Sequence, residues 1–158
     1  MQEAFQKLDP EKQKQILDAV LLEFAEQGYA NASTNKMVEK AKISKGLLFY
    51  YFKNKEGLFR TAFEYSLNYI VAHYVTQLDF SEPDFITRFT QATEAKMRAY
   101  LQNPLPFAFL ASIHIHKDGL ELAPELHARL DRIYKENLSK FYANLDHSLF
   151  RPDLEIQQ

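Results

Sequence analysis

The fold is decided by the stretch STNKMVEKAKISKGLLFYYFKNK, residues 33–55. Ser33 precedes a short amphipathic run and is a typical N-cap, and Ser44 precedes a second run that extends to about Phe52. Only the three residues 41–43 separate the two helices that these caps predict. Such a short connection is typical of a helix-turn-helix, whose second helix enters the major groove of DNA.

The charge of this stretch favours contact with a polyanion. Residues 36–55 contain six lysines and one acid, whereas the whole chain has a net charge of -2. Lysines that pair with phosphates release condensed counterions, which strengthens binding. Residues 1–60 carry a charge of +2 and residues 61–158 a charge of -4, so only the first third is expected to touch nucleic acid.

The aromatic run at residues 49–52 cannot turn all its rings towards one core, because successive residues of a helix point in different directions. Leu48 and Phe52 are four apart and are expected to share the buried face. The remaining three aromatics are expected at or near the surface, where tyrosine hydroxyls can reach phosphate oxygens; they are Phe49, Tyr50 and Tyr51.

The runs GYANAST at 28–34 and ISKGLLFYYFKNKEGLF at 43–59 resemble the DNA-binding domain of TetR-type bacterial transcriptional regulators. The resemblance covers about residues 10–60 and implies that the first turn of the second helix reads bases. Phe49 stands where the family usually has tyrosine, so an apolar contact such as that with a thymine methyl replaces a hydrogen bond. Lys42 stands where the turn usually has glycine, and a left-handed conformation there costs about 1 kcal/mol.

The residues and the resemblance together predict two sets of DNA contacts. The residues expected to contact bases are Lys45, Gly46, Leu47 and Phe49. The residues expected to contact phosphates are Ser33, Thr34, Tyr50, Tyr51 and Lys55. Lys55 lies in the first turn of the next helix, where unpaired backbone amides add positive potential.

Composition predicts an all-α fold. The 158 residues include only four glycines and six prolines, and no segment alternates with the period of a strand. Cysteine is absent, which excludes disulfides and thiolate zinc sites. With no apolar window of about 18 residues and no signal-peptide pattern, we expect a soluble cytoplasmic protein.

Caps and apolar periodicity predict helices beyond the helix-turn-helix as well. The first begins at Pro10 and ends at Gly28, and the helix opened by Asn54 continues to about Leu78. The later helices are expected over residues 81–103, with a cap at Ser81, over residues 104–118, apolar all round and largely buried, and from Pro124 onwards. A stripe from Leu126 to Leu145 on the last of these requires a packing partner.

The predicted architecture is a three-helix helix-turn-helix head, residues 1–54, and a helical ligand-binding and dimerisation body, residues 55–158. TetR-like chains usually have one further long helix, which builds a four-helix dimer interface with the preceding one. The segment PDLE at 152–155 looks like the start of such a helix. Either the chain is truncated after Gln158, or it is a short member that dimerises through the stripe and the adjoining helix.

A small-molecule pocket is expected in the body, because aromatic and soft side chains are dense on its consecutive helices. The lining predicted for it comprises Tyr65, Phe89, Met97, Phe107, His114 and Tyr134. Plain core packing is an alternative for each of them. His114 and His116 point about 200° apart on a helix and cannot share a metal, so no metal site is predicted. No catalytic residue and no cofactor are predicted either.

The function predicted from these features is a sequence-specific transcriptional regulator that binds a palindromic DNA operator as a homodimer. The resemblance implies a repressor relieved by a small-molecule effector, although activators exist in the family. An alternative is a helical protein-protein interaction or dimerisation module without specific DNA binding, which would use the stripe of Leu126 to Leu145. An enzyme is disfavoured, because no glycine-rich phosphate loop, metalloprotease motif or nucleophile elbow occurs.

Overall fold

A computed structural model describes residues 3–116, 119–146, 148 and 150. The secondary structure of the described part consists of α-helices and short 3₁₀ turns, which confirms the predicted all-α fold class. Its α-helices are α1 (Glu3–Gln6), α2 (Pro10–Asn31), α3 (Thr34–Ala41), α4 (Lys45–Phe52), α5 (Lys55–His73), α6 (Phe85–Gln102), α7 (Leu105–His116) and α8 (Pro124–Tyr142). Short 3₁₀ turns follow α5 at Val75–Gln77 and precede α8 at Leu120–Leu122.

Helices α2, α3 and α4 form the head. The Asp9 carboxylate accepts the Glu11 amide at 2.9 Å and Pro10 occupies the first turn, so α2 begins as predicted. Gly28 has φ 70° and ψ 177°, a conformation essentially restricted to glycine, and it interrupts α2 before a last turn that reaches Asn31. Lys42 is left-handed with φ 49°, as its position in the turn requires.

Helix α1 was not predicted, and it closes the back of the head. The Phe5 ring is fully buried, with its centroid 4.9 Å from that of Phe52 and 5.7 Å from that of Tyr51. Phe5 therefore packs against the last turn of α4, away from the exposed first turn. The sequence signal was the pair Phe5 and Leu8, whose spacing of three places both residues on one face of a helical turn.

Helix α7 joins the head to the body. Its fully buried Phe109 ring lies 6.2 Å from Phe24 of α2 and 5.4 Å from Phe59 of α5, between centroids. One continuous core therefore crosses the predicted boundary at residue 54. The expectation that α7 is largely buried was wrong for one side, because Ala108, Ala111 and Ile115 face solvent.

The ends of α5 and α6 differ from the predicted ones. Helix α5 ends at His73 rather than near Leu78, since the chain turns through the 3₁₀ segment and Leu78 is extended. Helix α6 is capped by Asp84, whose carboxylate accepts the Thr87 amide at 2.8 Å, and not by Ser81. That cap holds the pKa of Asp84 below its ordinary value, through the hydrogen bonds from Thr87.

The inner face of α6 carries small residues and one arginine. Ala95 and Ala99 are buried, whereas Phe89, Met97, Tyr100 and Leu101 are exposed. The Arg88 side chain is only 1% exposed. Its guanidinium donates hydrogen bonds of 2.6–2.8 Å to backbone carbonyls at Glu82, Phe141 and Ala143, so it fixes the end of α8 against the start of α6.

The apolar stripe of α8 packs in part against the core of the same chain. Leu126 and Leu130 lie against the core, and the Arg60 guanidinium of α5 binds both the Glu125 carboxylate and the Leu122 carbonyl. No α8 residue is fully buried, and the helix ends before Leu145. The start of a further helix predicted at residues 152–155 lies outside the described residues.

Candidate nucleic-acid interface and ligand cavity

The first turn of α4 is presented to solvent by its cap. The Ser44 hydroxyl accepts the Leu47 amide at 3.1 Å, as predicted, and Lys45, Gly46 and Leu47 are all exposed. The Lys45 ammonium donates to the Asn35 side-chain oxygen at 2.9 Å, which links the first turns of α3 and α4. Asn35 of α3 and Lys45, Gly46 and Leu47 of α4 thus form one exposed surface.

Two glycines near α4 have different structural reasons. A Cβ added at Gly57 would lie 2.0 Å from the Phe52 carbonyl oxygen, so the packing of α4 against α5 requires glycine there. A Cβ added at Gly46 would meet nothing nearer than the Ser44 hydroxyl at 4.0 Å. The fold therefore places no steric demand on Gly46.

The aromatic residues of α4 are divided between the core and the surface, in part differently from the prediction. Leu48 and Phe52 are buried and Tyr50 is 64% exposed, as expected. Phe49 is half-buried against the core. The expected surface position of Tyr51 was wrong, because it is only 7% exposed and its ring packs edge-on against Phe5. An α1 helix that the sequence analysis missed thus removes Tyr51 from the surface.

A buried carboxylate holds the start of α3. Ser33 occupies the N-cap position as predicted, but its hydroxyl makes no cap hydrogen bond. Instead its backbone amide donates to Oε1 of Glu23 at 3.0 Å, and Glu23 is 1% exposed. A charge on the apolar face of α2, three residues after Val20, was the signal in the sequence for this role.

Acidic side chains of α2 and α3 offset part of the positive charge that the lysines of residues 36–55 carry. Lys40 Nζ lies 3.8 Å from carboxylate oxygens of both Glu23 and Glu26 on α2. Lys36 and Lys42 line the same mixed surface together with Glu39. Lys45 contributes a positive charge to the exposed surface formed by the first turns of α3 and α4.

Lys55 lies at the start of α5, where Asn54 caps the helix through the Gly57 amide at 2.8 Å. Its ammonium donates to the Ala30 carbonyl at 3.1 Å and lies 5.0 Å from the centroid of the Tyr29 ring. Lys55 therefore connects the end of α2 to the start of α5. Burial raises the pKa of Tyr29, with the Glu56 carboxylate adding to that shift.

A cavity of about 540 Å³ opens between α5, α6, α8 and residues 75–80. Seven of its seventeen lining side chains are aromatic: Tyr74, Phe80, Phe85, Phe89, Tyr134, Phe141 and Tyr142. Its aliphatic lining comprises Ile70, Val75, Leu78, Ala92, Leu130, Ile133 and Leu138. Thr93, Lys96 and Asn137 complete it, and the exposure of Phe89, 55%, and Tyr134, 64%, places these two rings at its mouth.

The structure brings two of the six predicted pocket residues to this cavity. Phe89 and Tyr134 line it. The other four do not line it, because their side chains point elsewhere: Tyr65 accepts a hydrogen bond from Asn103 at 3.3 Å, Phe107 packs on Tyr100, and Met97 and His114 face solvent. Helical periodicity could not distinguish the cavity side of α6 from its outer side.

A comparison with known proteins bears on this arrangement. Residues 16–62, which run from within α2 to within α5, match the family model of bacterial regulatory proteins, tetR family. The matched region belongs to the tetR family. The chain is 30% identical over 147 residues to the HTH-type transcriptional regulator BetI of Proteus mirabilis (strain HI4320). The aligned region covers 85% of this chain and 64% of that regulator.

A second similarity to a known regulator covers a shorter part of the chain. The chain is 38% identical over 55 residues to YuxN of Bacillus subtilis (strain 168), an uncharacterized HTH-type transcriptional regulator. That similarity covers 35% of this chain and 19% of YuxN.

Solved structures share the fold of this chain. A putative transcriptional regulator from Pseudomonas aeruginosa PAO1 superposes with a TM-score of 0.62 at 21% identity, over 88% of this chain and 67% of that one. A TetR family regulator from Chloroflexus aurantiacus J-10-FL gives 0.58 at 24% identity, over 68% and 50%. The chain therefore spans about half to two thirds of the length of these relatives.

Two further features concern metal ions and membranes. Residues 3–116, 119–146, 148 and 150 bring together no group of three or more His, Cys, Asp or Glu side chains suited to a metal ion. Within the same ranges, none of the helices combines the length and apolar character needed to cross a membrane.

Proposed function

We propose that this protein is a sequence-specific, DNA-binding transcriptional regulator that acts as a homodimer in the bacterial cytoplasm. The observation that carries the proposal is the exposed first turn of α4, where Gly46 has room for a Cβ that the sequence does not supply. Backbone approach to a DNA groove accounts for that glycine, and its neighbour Lys45 suits a guanine edge or a phosphate.

The proposed contacts follow the exposure of the side chains. Base contacts are assigned to Lys45, Gly46 and Leu47, with Phe49 contributing only its exposed edge. Phosphate contacts are assigned to Ser33, Thr34, Tyr50 and Lys55. Tyr51 is withdrawn from this set because of its burial against Phe5.

The proposed operator is palindromic, since a two-fold dimer presents two identical heads. Those heads must lie about 34–36 Å apart to enter successive major grooves on one side of the duplex. An effector that prefers a body conformation with another head spacing would weaken DNA binding by a shift in population. The cavity beside the far end of α5 supports this proposal of a repressor relieved by a ligand.

The test is selection of genomic DNA fragments by the purified protein at about 0.1 M salt, with its mass in solution measured on the same sample. The expected result is an enriched palindromic sequence and the mass of a dimer. Gly46→Ala serves as the matched variant, because it changes the proposed contact surface without a steric conflict in the fold. A folded protein that enriches no sequence would contradict specific DNA binding and favour a protein-protein interaction module.

A further inference from the structure

The cavity between α6 and α8 has an uneven distribution of polar groups. Fourteen of its seventeen lining residues are aromatic or aliphatic. Among the described residues that line it, Lys96 is the charged one and no carboxylate is present. A volume of about 540 Å³ falls within the usual range of small-molecule sites, about 300–1,000 Å³.

We propose that this cavity binds a monoanionic amphiphile, in which an apolar body lies among the aromatic rings and a carboxylate lies at the mouth beside Lys96. This inference rests on the proposed function, because it names the chemical class of the effector. The class is medium-chain carboxylic acids, in which a long apolar body carries a single negative charge.

Lys96 is well placed for a ligand head group. Phe89, Ala92 and Lys96 follow one another at helical spacing, so they lie along the same side of α6 and all line the cavity. The Lys96 side chain is exposed, whereas Ala92 is half-buried. A ligand that enters beside Phe89 can therefore keep its head in contact with water and with the ammonium while its body is removed from water.

The sign of the charge distinguishes this class from the alternative that aromatic linings often favour. Aromatic faces also bind quaternary ammonium ions, which are attracted to the ring quadrupole. Here a cationic head would lie near the Lys96 ammonium without a carboxylate among the described lining residues to balance it. Like-charge repulsion thus disfavours a cation and favours an anion.

Three tyrosine hydroxyls can add hydrogen bonds to a carboxylate or to another acceptor. Tyr74, Tyr134 and Tyr142 all line the cavity, and a tyrosine hydroxyl can donate. Burial raises the pKa of Tyr74 above its ordinary value, so its hydroxyl stays protonated at neutral pH. The Thr93 hydroxyl already donates to the Phe89 carbonyl at 2.8 Å, which leaves Lys96 and the three tyrosines as the principal donors.

The test is isothermal titration calorimetry with three probes that share one alkyl chain and differ in charge: dodecanoate, dodecanol and dodecyltrimethylammonium, each below its micellar concentration. We expect dodecanoate to bind about fivefold more tightly than dodecanol at low salt, as suits a solvent-accessible ion pair. We expect dodecyltrimethylammonium to bind more weakly than dodecanol. An alcohol or ammonium that binds as tightly as the carboxylate would overturn the proposal, and so would the failure of all three to bind.

Lys96→Gln should abolish the advantage of dodecanoate over dodecanol and leave dodecanol binding unchanged. Lys135→Gln is the matched control, because Lys135 is an exposed lysine on α8 that does not line the cavity. It should retain the fivefold advantage. If both variants lose it equally, the effect comes from net charge and the assigned position of the carboxylate is wrong.

Occupancy of the cavity is tested by a second pair of variants. Ala92→Phe should fill part of the space and weaken all probes by at least tenfold, whereas Ala128→Phe adds the same ring to an exposed position of α8 outside the lining. Unchanged binding by Ala92→Phe would place the probes elsewhere and overturn the proposal. Circular dichroism of both variants checks that they are folded.

Release of DNA is measured separately, so that the two proposals can fail independently. Dodecanoate should reduce binding to the selected operator at the concentration at which it fills the cavity. Binding in the cavity without release of DNA would support the ligand class and contradict regulation by it. Intact DNA binding with no calorimetric response would contradict the ligand class and leave the DNA-binding function standing.

Discussion

At the scale of single residues, Gly46 in α4 and Gly57 in α5 serve different purposes. Gly46→Ala should leave the free energy of unfolding unchanged or raise it by up to about 1 kcal/mol, because alanine has the higher helix propensity. It should weaken operator binding at least tenfold, because the added methyl group blocks the proposed approach of DNA. Urea unfolding and a DNA-binding titration on the same preparation measure both effects.

Gly57→Ala is the matched control, since it introduces the same methyl group at the other glycine. It should destabilise the fold, because its Cβ would lie 2.0 Å from the Phe52 carbonyl oxygen. Loss of stability without loss of binding in the Gly46 variant would mean that Gly46 has a structural role only.

Glu23 is a second residue whose role is set by one hydrogen bond. Glu23→Leu should lower the free energy of unfolding by about 1–3 kcal/mol, because the Ser33 amide loses its acceptor. Glu23→Gln keeps an acceptor and should retain most of that stability. Urea unfolding and hydrogen exchange at the Ser33 amide provide the measurements, and Glu26→Gln, at an exposed position, should stay within about 0.5 kcal/mol. Equal stability of all three variants would contradict the role of Glu23.

At the scale of helices, α5 begins with a lysine that has both a structural and a proposed DNA-binding role. Lys55→Ala should weaken binding to all DNA sequences alike and reduce the salt slope by about one. It should also remove the hydrogen bond to the Ala30 carbonyl, so folding of the variant is verified first. Lys135→Ala, on α8, should change neither quantity. An altered sequence preference with an unchanged slope would show that Lys55 contacts a base.

Helix α8 depends on α6 for the position of its C-terminal end. Arg88→Met should destabilise the protein by about 2–4 kcal/mol, because the Phe141 and Ala143 carbonyls lose a charged donor in a buried site. Hydrogen exchange should increase in the last turn of α8. Arg98→Met should stay within about 0.5 kcal/mol, since Arg98 is exposed and lies 3.8 Å from Glu94. Similar losses in both variants would contradict the role assigned to Arg88.

The order and type of the helices could be predicted from sequence because caps and apolar periodicity are local signals. Ser44 and Asn54 cap their helices as expected. The burial of Tyr51 could not be predicted, since it depends on Phe5, a residue distant in sequence. The cavity was only partly foreseen for a similar reason: its position depends on how α6 is rotated about its axis, which Ala95, Ala99 and Arg88 determine together.

At the scale of the whole molecule, the shared core predicts a single unfolding transition. Phe109 is fully buried between α2 and α5, so head and body should lose their structure together. Phe109→Ala should cost about 3–5 kcal/mol. Far-ultraviolet and near-ultraviolet circular dichroism should report coincident transitions in the parent protein. Two separate transitions would show that the head folds independently of α7.

The same aromatic contact fixes the way in which α5 can move. The nineteen residues of α5 span about 28 Å, and Phe109 meets the helix at Phe59 and Phe63, nearer to Lys55 than to the cavity. If these rings act as a pivot, the length of helix from the pivot to Ile70 is about one and a half times the length from the pivot to Lys55. A displacement at Ile70 would be reversed and reduced to about two thirds at Lys55, while the angle of rotation would be transmitted in full. The displacement of α4 would then depend on its distance from this pivot.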